Sequence, residues 1–278
     1  MAIAMLLSQN KKCILNVLAA MLVTVGLEGI SFADPAVSTT APDNSPLASA
    51  TENAGPSVIG VAANFTSTLE EIVIHFKKAY PKCQNIEINQ GSSGDLYKRI
   101  QEGAPFDLFL SANANYTKEL CKKDLALVPP QVYAMGKLAM LSHIPLDNKP
   151  PHFQQESIGI AAPKDAPYGQ AAVETLKALG YTLDKLKIVY ANNAQDVFTD
   201  FKQGKTDRAF VSLSQAKLAT SSTEQWIVPT DLYNPFEQTA VLLAHARDNN
   251  CAKVFFGYLV KNDSAKNIIK DKGYNLKD

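Results

Sequence analysis

The chain is poor in the residues that carry most protein chemistry. Its 278 residues include four His, four Cys and one Trp, and 27 basic residues are matched by 27 acidic ones, leaving no formal net charge. A nucleic-acid partner favours a basic surface, so this balance argues against one. So few cysteines cannot form a disulfide-dense mini-scaffold. His75, His143, His152 and His245 are scattered, with no HExxH or HxH spacing, and no metal site is indicated. There is no GxGxxG, GxxxxGK[ST] or GxSxG, hence no dinucleotide fingerprint, phosphate-clamping loop or nucleophile elbow. No nucleophile–base pair stands out. Beyond the N-terminus, no apolar run approaches the roughly 20 residues that cross a bilayer as a helix.

What is present begins with an address. Lys11 and Lys12 precede the apolar run Cys13–Leu27, and Ser31-Phe32-Ala33 offers small residues before Asp34. This predicts an export signal over residues 1–33, cut after Ala33, with an uncleaved membrane anchor as the alternative. The 245 residues left would carry 25 basic and 26 acidic groups. They keep Cys83, Cys121 and Cys251, an odd number that allows one disulfide and one free thiol in an oxidising compartment. Cys83 with Cys121 is the expected pair; three buried reduced thiols is the alternative. Residues 34–56, rich in Pro, Ser, Thr and Ala, bury too little to offset their ordering entropy and are expected to be a disordered leader.

From Ser57 the pattern becomes regular. Ser57–Ala63 reads as a buried strand, and Leu69, Ile72, Val73 and Phe76 form one stripe of a helix over Thr66–Tyr80. Strands are expected at Ile86–Asn89 and Phe106–Ser111 around a helix at Asp95–Glu102. A second set follows: strands at Lys137–Ser142, Ser157–Ala162, Lys187–Tyr190 and Arg208–Ser212, with helices over Gln170–Leu179, Gln195–Gln203 and from Ser214. Thr239–Ala244 is a late strand, and Ala252, Phe255, Phe256, Leu259 and Val260 share a last helix face. The class is α/β, with parallel sheets covered by helices in two units and no evident internal repeat.

Two junctions point to function. Ala62-Ala63-Asn64-Phe65-Thr66 and Gln90-Gly91-Ser92-Ser93-Gly94-Asp95 each run from a strand into a helix through small or polar residues. A helix start exposes unpaired N–H groups and partial positive charge, which an anion satisfies. Ordinary capping explains one such junction; two in consecutive units favour a ligand at the carboxyl ends of the strands. Neither contains Lys or Arg, so the site suits a small, fully ionised oxyanion held by neutral dipoles. Asp107, in an otherwise apolar run, is expected to be a buried structural acid rather than a functional one.

These residues also carry a resemblance. Val61–Thr66, Gly91-Ser92-Ser93-Gly94, Gly103–Ala112, Met135–Leu138, Pro167-Tyr168-Gly169, Ala194–Val197 and Lys272-Gly273-Tyr274, in this order, resemble the molybdate-binding proteins of bacterial ABC importers. The likeness covers residues 57–278. It implies a type II periplasmic-binding-protein fold: two α/β lobes joined by crossover hinge strands, with an oxyanion in the cleft and neither metal nor cofactor. Residues 57–134 and 237–278 would form one lobe and 135–236 the other, with hinges near Tyr133–Gly136 and Asn234–Gln238.

Position by position, the resemblance makes Asn64 the first-loop donor, where Ser is commoner, and Ser93 the second-loop serine. Tyr168 and Val197 would donate backbone N–H groups. Ser212 stands where many members carry a tyrosine, so the phenol of Tyr168 is the alternative source of that hydroxyl. The implied function is capture of molybdate, or tungstate, in the periplasm by a monomer that delivers it to a membrane permease. Sulfate or phosphate as ligand, an exported two-lobed enzyme, and a secreted interaction module tethered by its leader are the alternatives. Asp95 and Asp196 lie near the loops and keep phosphate open, because a protonated anion favours an acceptor carboxylate.

Overall fold

The computed structural model describes residues 55–146 and 150–277. The expected export signal, its cleavage site and nearly all of the leader lie outside them.

In the first half, β1 (Ser57–Ala62) runs through a 3-10 turn (Ala63–Phe65) into α1 (Thr66–Ala79), whose Leu69, Ile72, Val73 and Phe76 are buried together. Then come β2 (Ile86–Gly91), α2 (Ser93–Gln101), β3 (Leu108–Ser111), α3 (Ala114–Lys122) and β4 (Gln131–Met135). The second half holds β5 (Leu138–Ser142), β6 (Ser157–Ala161), α4 (Pro167–Ala178), β7 (Lys187–Ala191), α5 (Ala194–Lys202), β8 (Arg208–Ser212), α6 (Leu213–Ala216) and β9 (Glu224–Ile227). The chain returns through β10 (Glu237–Leu242) to α7 (Asn250–Lys261) and α8 (Asp263–Asp271).

Two five-stranded sheets result, ordered β2-β1-β3-β10-β4 and β7-β6-β8-β5-β9. In each, three parallel strands are extended by one strand of opposite direction, β10 in the first and β5 in the second, and beyond it by an edge strand, β4 or β9, that pairs antiparallel with it and so runs with the first three. The expected parallel sheets are therefore mixed. Buried runs such as Leu138-Ala139-Met140-Leu141 are apolar throughout, and a fully buried strand carries no periodicity that encodes its direction. The antiparallel pairings are made by the strands flanking the crossings: β4 passes to β5 through Gly136-Lys137, and β9 returns to β10. At Gly136 a Cβ would lie 2.0 Å from the Phe236 ring, so only glycine lets the two crossing segments pack this closely. The shared strand order is a repeat of topology that the sequence does not display.

Each sheet has its own apolar core. Phe65, Phe76, Tyr133, Phe255 and Tyr258 pack around the first, and Phe153, Tyr168, Phe210 and Trp226 around the second. Asp107 caps a loop, as expected for a structural acid. Its fully buried carboxylate accepts from the Val58 N–H (2.8 Å) and the Asn249 amide (3.1 Å) and meets His245 Nδ1 at 3.0 Å.

The expected Cys83–Cys121 pairing is wrong: Cys83 is bonded to Cys251, 168 residues away, and no described cysteine is a free thiol. The bond ties the turn after α1 to the first turn of α7, and both cysteines belong to the first core. Chain separation carries no information about that adjacency, which arises only when α7 returns beside α1. A Cys83→Ser/Cys251→Ser double variant is expected to lose about 2–5 kcal/mol of unfolding free energy, measured by urea titration. An unchanged midpoint would show that the crosslink adds nothing.

Candidate functional site

Four strand-to-helix junctions meet at one small cavity. The first sheet contributes Ala62-Ala63-Asn64 after β1 and Gly91-Ser92-Ser93 after β2; the second contributes Ala166-Pro167-Tyr168 after β6 and Asn193-Ala194 after β7. Because β6 and β7 occupy the places of β1 and β2 in their sheet, the cavity is built from the same pair of junctions twice. The space between its walls, part of it open to solvent, is about 210 Å³. None of the lining residues is Lys, Arg, His, Asp or Glu. Four helix starts thus turn their partial positive charge on a space with no full charge in its wall.

The local chemistry explains the donors. Ser92 caps α2 by accepting the Asp95 N–H at 3.1 Å, which puts Ser93 in the first turn. The Ser93 hydroxyl, 1% exposed, accepts the Ala112 N–H at 3.0 Å, so its own proton remains to be donated. Helix α4 begins at Pro167, three residues earlier than expected, because proline is compatible with the first helical position. Tyr168 is therefore a first-turn residue whose backbone N–H has no intrahelical acceptor. The turn packs hard against the end of β6: a Cβ on Gly169 would lie 1.9 Å from the Ala161 carbonyl oxygen.

Three expected roles look different in three dimensions. Asn64 lines the cavity, but its Nδ2 is engaged by protein oxygens, Gln238 Oε1 (3.0 Å), Tyr274 Oη (3.2 Å) and Tyr168 Oη (3.4 Å). Val197 does not line the cavity, and its N–H donates to the Asn193 carbonyl at 3.2 Å. Helix α5 starts at Ala194, with Asn193 Oδ1 capping Gln195 and Asp196, so Val197 already sits in the hydrogen-bonded part of the helix. Ser212 also lies off the cavity and forms a capping box with Gln215 at the start of α6. Neither Asp95 nor Asp196 reaches the cavity wall, and Asp196 accepts from Asn193 Nδ2 at 3.0 Å.

Sequence reasoning missed the groups behind the wall. Tyr133, Gln238, Tyr274 and Ser214 are all buried and join Asn64 and Tyr168 in one uncharged network. Burial pushes the phenols of Tyr168 and Tyr133 well above the usual tyrosine range, so both stay protonated. A glutamine directly before the buried run Thr239–Leu242 was the available signal; Tyr274 offered none beyond its place in Lys272-Gly273-Tyr274.

Two α/β lobes joined by crossing strands around a small cavity define a solute-binding protein. The chain belongs to the bacterial extracellular solute-binding protein family, which residues 58–275 match. It is 35% identical over 229 residues to a molybdate-binding protein of Azotobacter vinelandii, covering 78% of this chain and 89% of that one. A molybdate-binding protein of Rhodobacter capsulatus is 35% identical over 227 residues, covering 80% and 88%. The solved structure of the Azotobacter vinelandii periplasmic molybdate-binding protein superposes with a TM-score of 0.72 at 33% identity, covering 80% of this chain and 99% of that chain. The two-lobed fold implied by the sequence resemblance is the fold observed.

Ser93→Ala removes one donor from the cavity wall and leaves the Ala112 N–H without its Ser93 acceptor. It is expected to weaken oxyanion binding by about 1–3 kcal/mol in calorimetry; full affinity in the variant would take Ser93 out of the site.

Proposed function

We propose that this chain is a periplasmic carrier that captures molybdate, and tungstate also, and hands it to the membrane permease of an ABC importer. It works as a monomer, without cofactor or metal, and catalyses nothing. The observation that carries this reading is the cavity wall: four helix starts and neutral side chains, with no cation and no carboxylate. A doubly charged tetrahedral anion satisfies several N–H and O–H donors at once. Each bond to a charged group contributes roughly 1.5–3 kcal/mol net, so a handful support sub-micromolar affinity, beyond about −8 kcal/mol. A protonated phosphate brings a donor that this wall has no carboxylate to accept. That both reported relatives are molybdate-binding proteins supports molybdate over sulfate as the ligand here. Export by a signal over residues 1–33, cut after Ala33, completes the periplasmic assignment.

In this reading the anion bridges the lobes, 57–134 with 237–278 on one side and 135–236 on the other, and closure follows because only the closed form makes both sets of bonds. Asn64 contributes through its main chain, Ser93 through its hydroxyl, Tyr168 through its backbone N–H and phenol, and the start of α5 through Ala194. Calorimetry with four oxyanions tests the assignment. Molybdate and tungstate are expected to bind at least about 100-fold more tightly than sulfate and phosphate, a gap of roughly 2.7 kcal/mol. Equal affinity for all four would sink the selectivity, and silence toward all four would sink the function.

Closure itself has a marker at the cleft mouth. The Gly94 N–H donates to the Asp165 carbonyl at 2.9 Å, and Lys98 Nζ meets Asp165 Oδ1 at 3.0 Å. A Cβ on Gly94 would lie 2.6 Å from Asp165 Oδ1 and 2.9 Å from its Cα. Gly94→Ala is therefore expected to hold the lobes apart, lowering affinity tenfold or more and leaving a larger radius of gyration in small-angle scattering with molybdate present. A variant that compacts like the parent would show that this contact does not gate closure.

A further inference from the structure

The network behind the cavity has a direction, and one residue sets it. Gln238 is fully buried on β10, one of the strands leading into the crossing. Its Oε1 accepts from Asn64 Nδ2 at 3.0 Å and from the Tyr133 hydroxyl at 3.1 Å, while its Nε2 donates to Tyr168 Oη at 3.3 Å. Tyr133 reaches it because the pairing of β10 with β4 slips at this point. Gln238 faces Ala134 and Thr239 faces Val132, which leaves Tyr133 as the extra residue of a bulge. Bulges re-aim side chains in this way.

The consequence falls on Tyr168. Its phenol oxygen receives an N–H from Gln238 at 3.3 Å and lies 3.4 Å from Asn64 Nδ2, whose two N–H groups are shared among three oxygens; an amide nitrogen accepts nothing, so neither residue's nitrogen takes the Tyr168 proton. The neighbouring Tyr274 hydroxyl already receives Asn64 Nδ2 at 3.2 Å, lies 2.9 Å from Ser214 Oγ, and gives its own proton to the Asn64 carbonyl at 2.8 Å. The Tyr168 proton enters none of these bonds, and Tyr168 lines the cavity, where a guest would accept it. If the Gln238 amide were turned over, its oxygen would face Tyr168 and draw that proton inward. The Asn64 amide would have to turn with it.

We propose that Gln238, oriented by Tyr133, is the positioning residue of the oxyanion site: it fixes the polarity of the buried network so that the Tyr168 phenol donates to the anion. Neither Gln238 nor Tyr133 touches the guest; both act through Tyr168 and Asn64. This rests on the oxyanion-binding reading above and extends it from the cavity wall to the hinge strands. Because the positioning groups lie beside the crossing, the donor set and the hinge share the same hydrogen bonds.

The test is a double-mutant cycle read by calorimetry with molybdate, with thermal melting as the check on folding. Gln238→Glu, once ionised, presents acceptors and no donor, so the Tyr168 proton turns toward it; the titration is run at rising pH to reach that form against the burial that favours the neutral acid. Tyr168→Phe is expected to cost tenfold or more in the parent chain and less than threefold in the Gln238→Glu background, where that proton is already diverted. Tyr133→Phe, which keeps the ring but frees the Gln238 amide to turn, is expected to weaken binding about fivefold with the melting temperature retained. An undiminished Tyr168→Phe penalty in the Gln238→Glu chain would overturn the proposal. Should that chain not fold, parent-like affinity in Tyr133→Phe would overturn it alone. If the parent binds no oxyanion at all, it is the function that fails, and the two failures are thereby distinguished.

Discussion

The structure depends on the electrostatics of helix starts. A chain with no net charge, and a cavity with no charged side chain, can still present positive potential wherever unpaired N–H groups point together. Here the first two strand-to-helix junctions of each sheet do so, and the doubled topology brings the pairs face to face. A dipolar wall differs from a cationic one in what it selects. It offers many short, directional bonds to an ion already stripped of water, and nothing to an anion that must also donate a proton. Gly169 shows how tightly the geometry is held: its missing Cβ is what lets the first turn of α4 lie against the end of β6.

Behind that wall the molecule uses neutral hydrogen bonds where an apolar core would be easier to build. Asn64, Tyr168, Gln238, Tyr133, Tyr274 and Ser214 are each nearly excluded from solvent, and each finds a partner among the others. A buried network with every member satisfied rigidifies its surroundings, whereas a half-satisfied one is worse than hydrocarbon. Residues of both lobes take part: Tyr168 and Ser214 from one, Asn64 and Gln238 from the other. The ligand wall and the crossing segments are thereby parts of one hydrogen-bonded unit. Gly136, pressed against Phe236 where the segments pass, belongs to the same arrangement.

The loops around Asn64 and Ser93 were legible because their signal is local: an apolar run, small or polar residues, then a helical stripe. Tyr168 and Val197 depended on helix boundaries, and there a shift of a few residues changes the chemistry. Proline at the first position of α4 brings Tyr168 into the first turn and so into the site. Asn193 as the cap of α5 leaves Val197 one turn in, with its N–H already bonded. The helix α3 and the strands β4 and β9 escaped detection because they are short and only partly buried, with weak periodicity. Helix α8 buries only Ala265, Ile268 and Ile269.

The amino-acid sequence by itself determined the alternation of strands and helices, the small neutral junctions, and the lack of any cation to clamp a phosphate. These follow from propensity, hydrophobic period and capping, forces that act over a few residues. Tertiary structure alone decided which junctions meet, which strands run antiparallel, that Cys83 pairs with Cys251, and that Tyr274 reaches Asn64 across 210 residues. Those outcomes depend on where the chain crosses between two separately packed cores, and the position of a crossing is set by the fit of whole sheets rather than by the residues beside it.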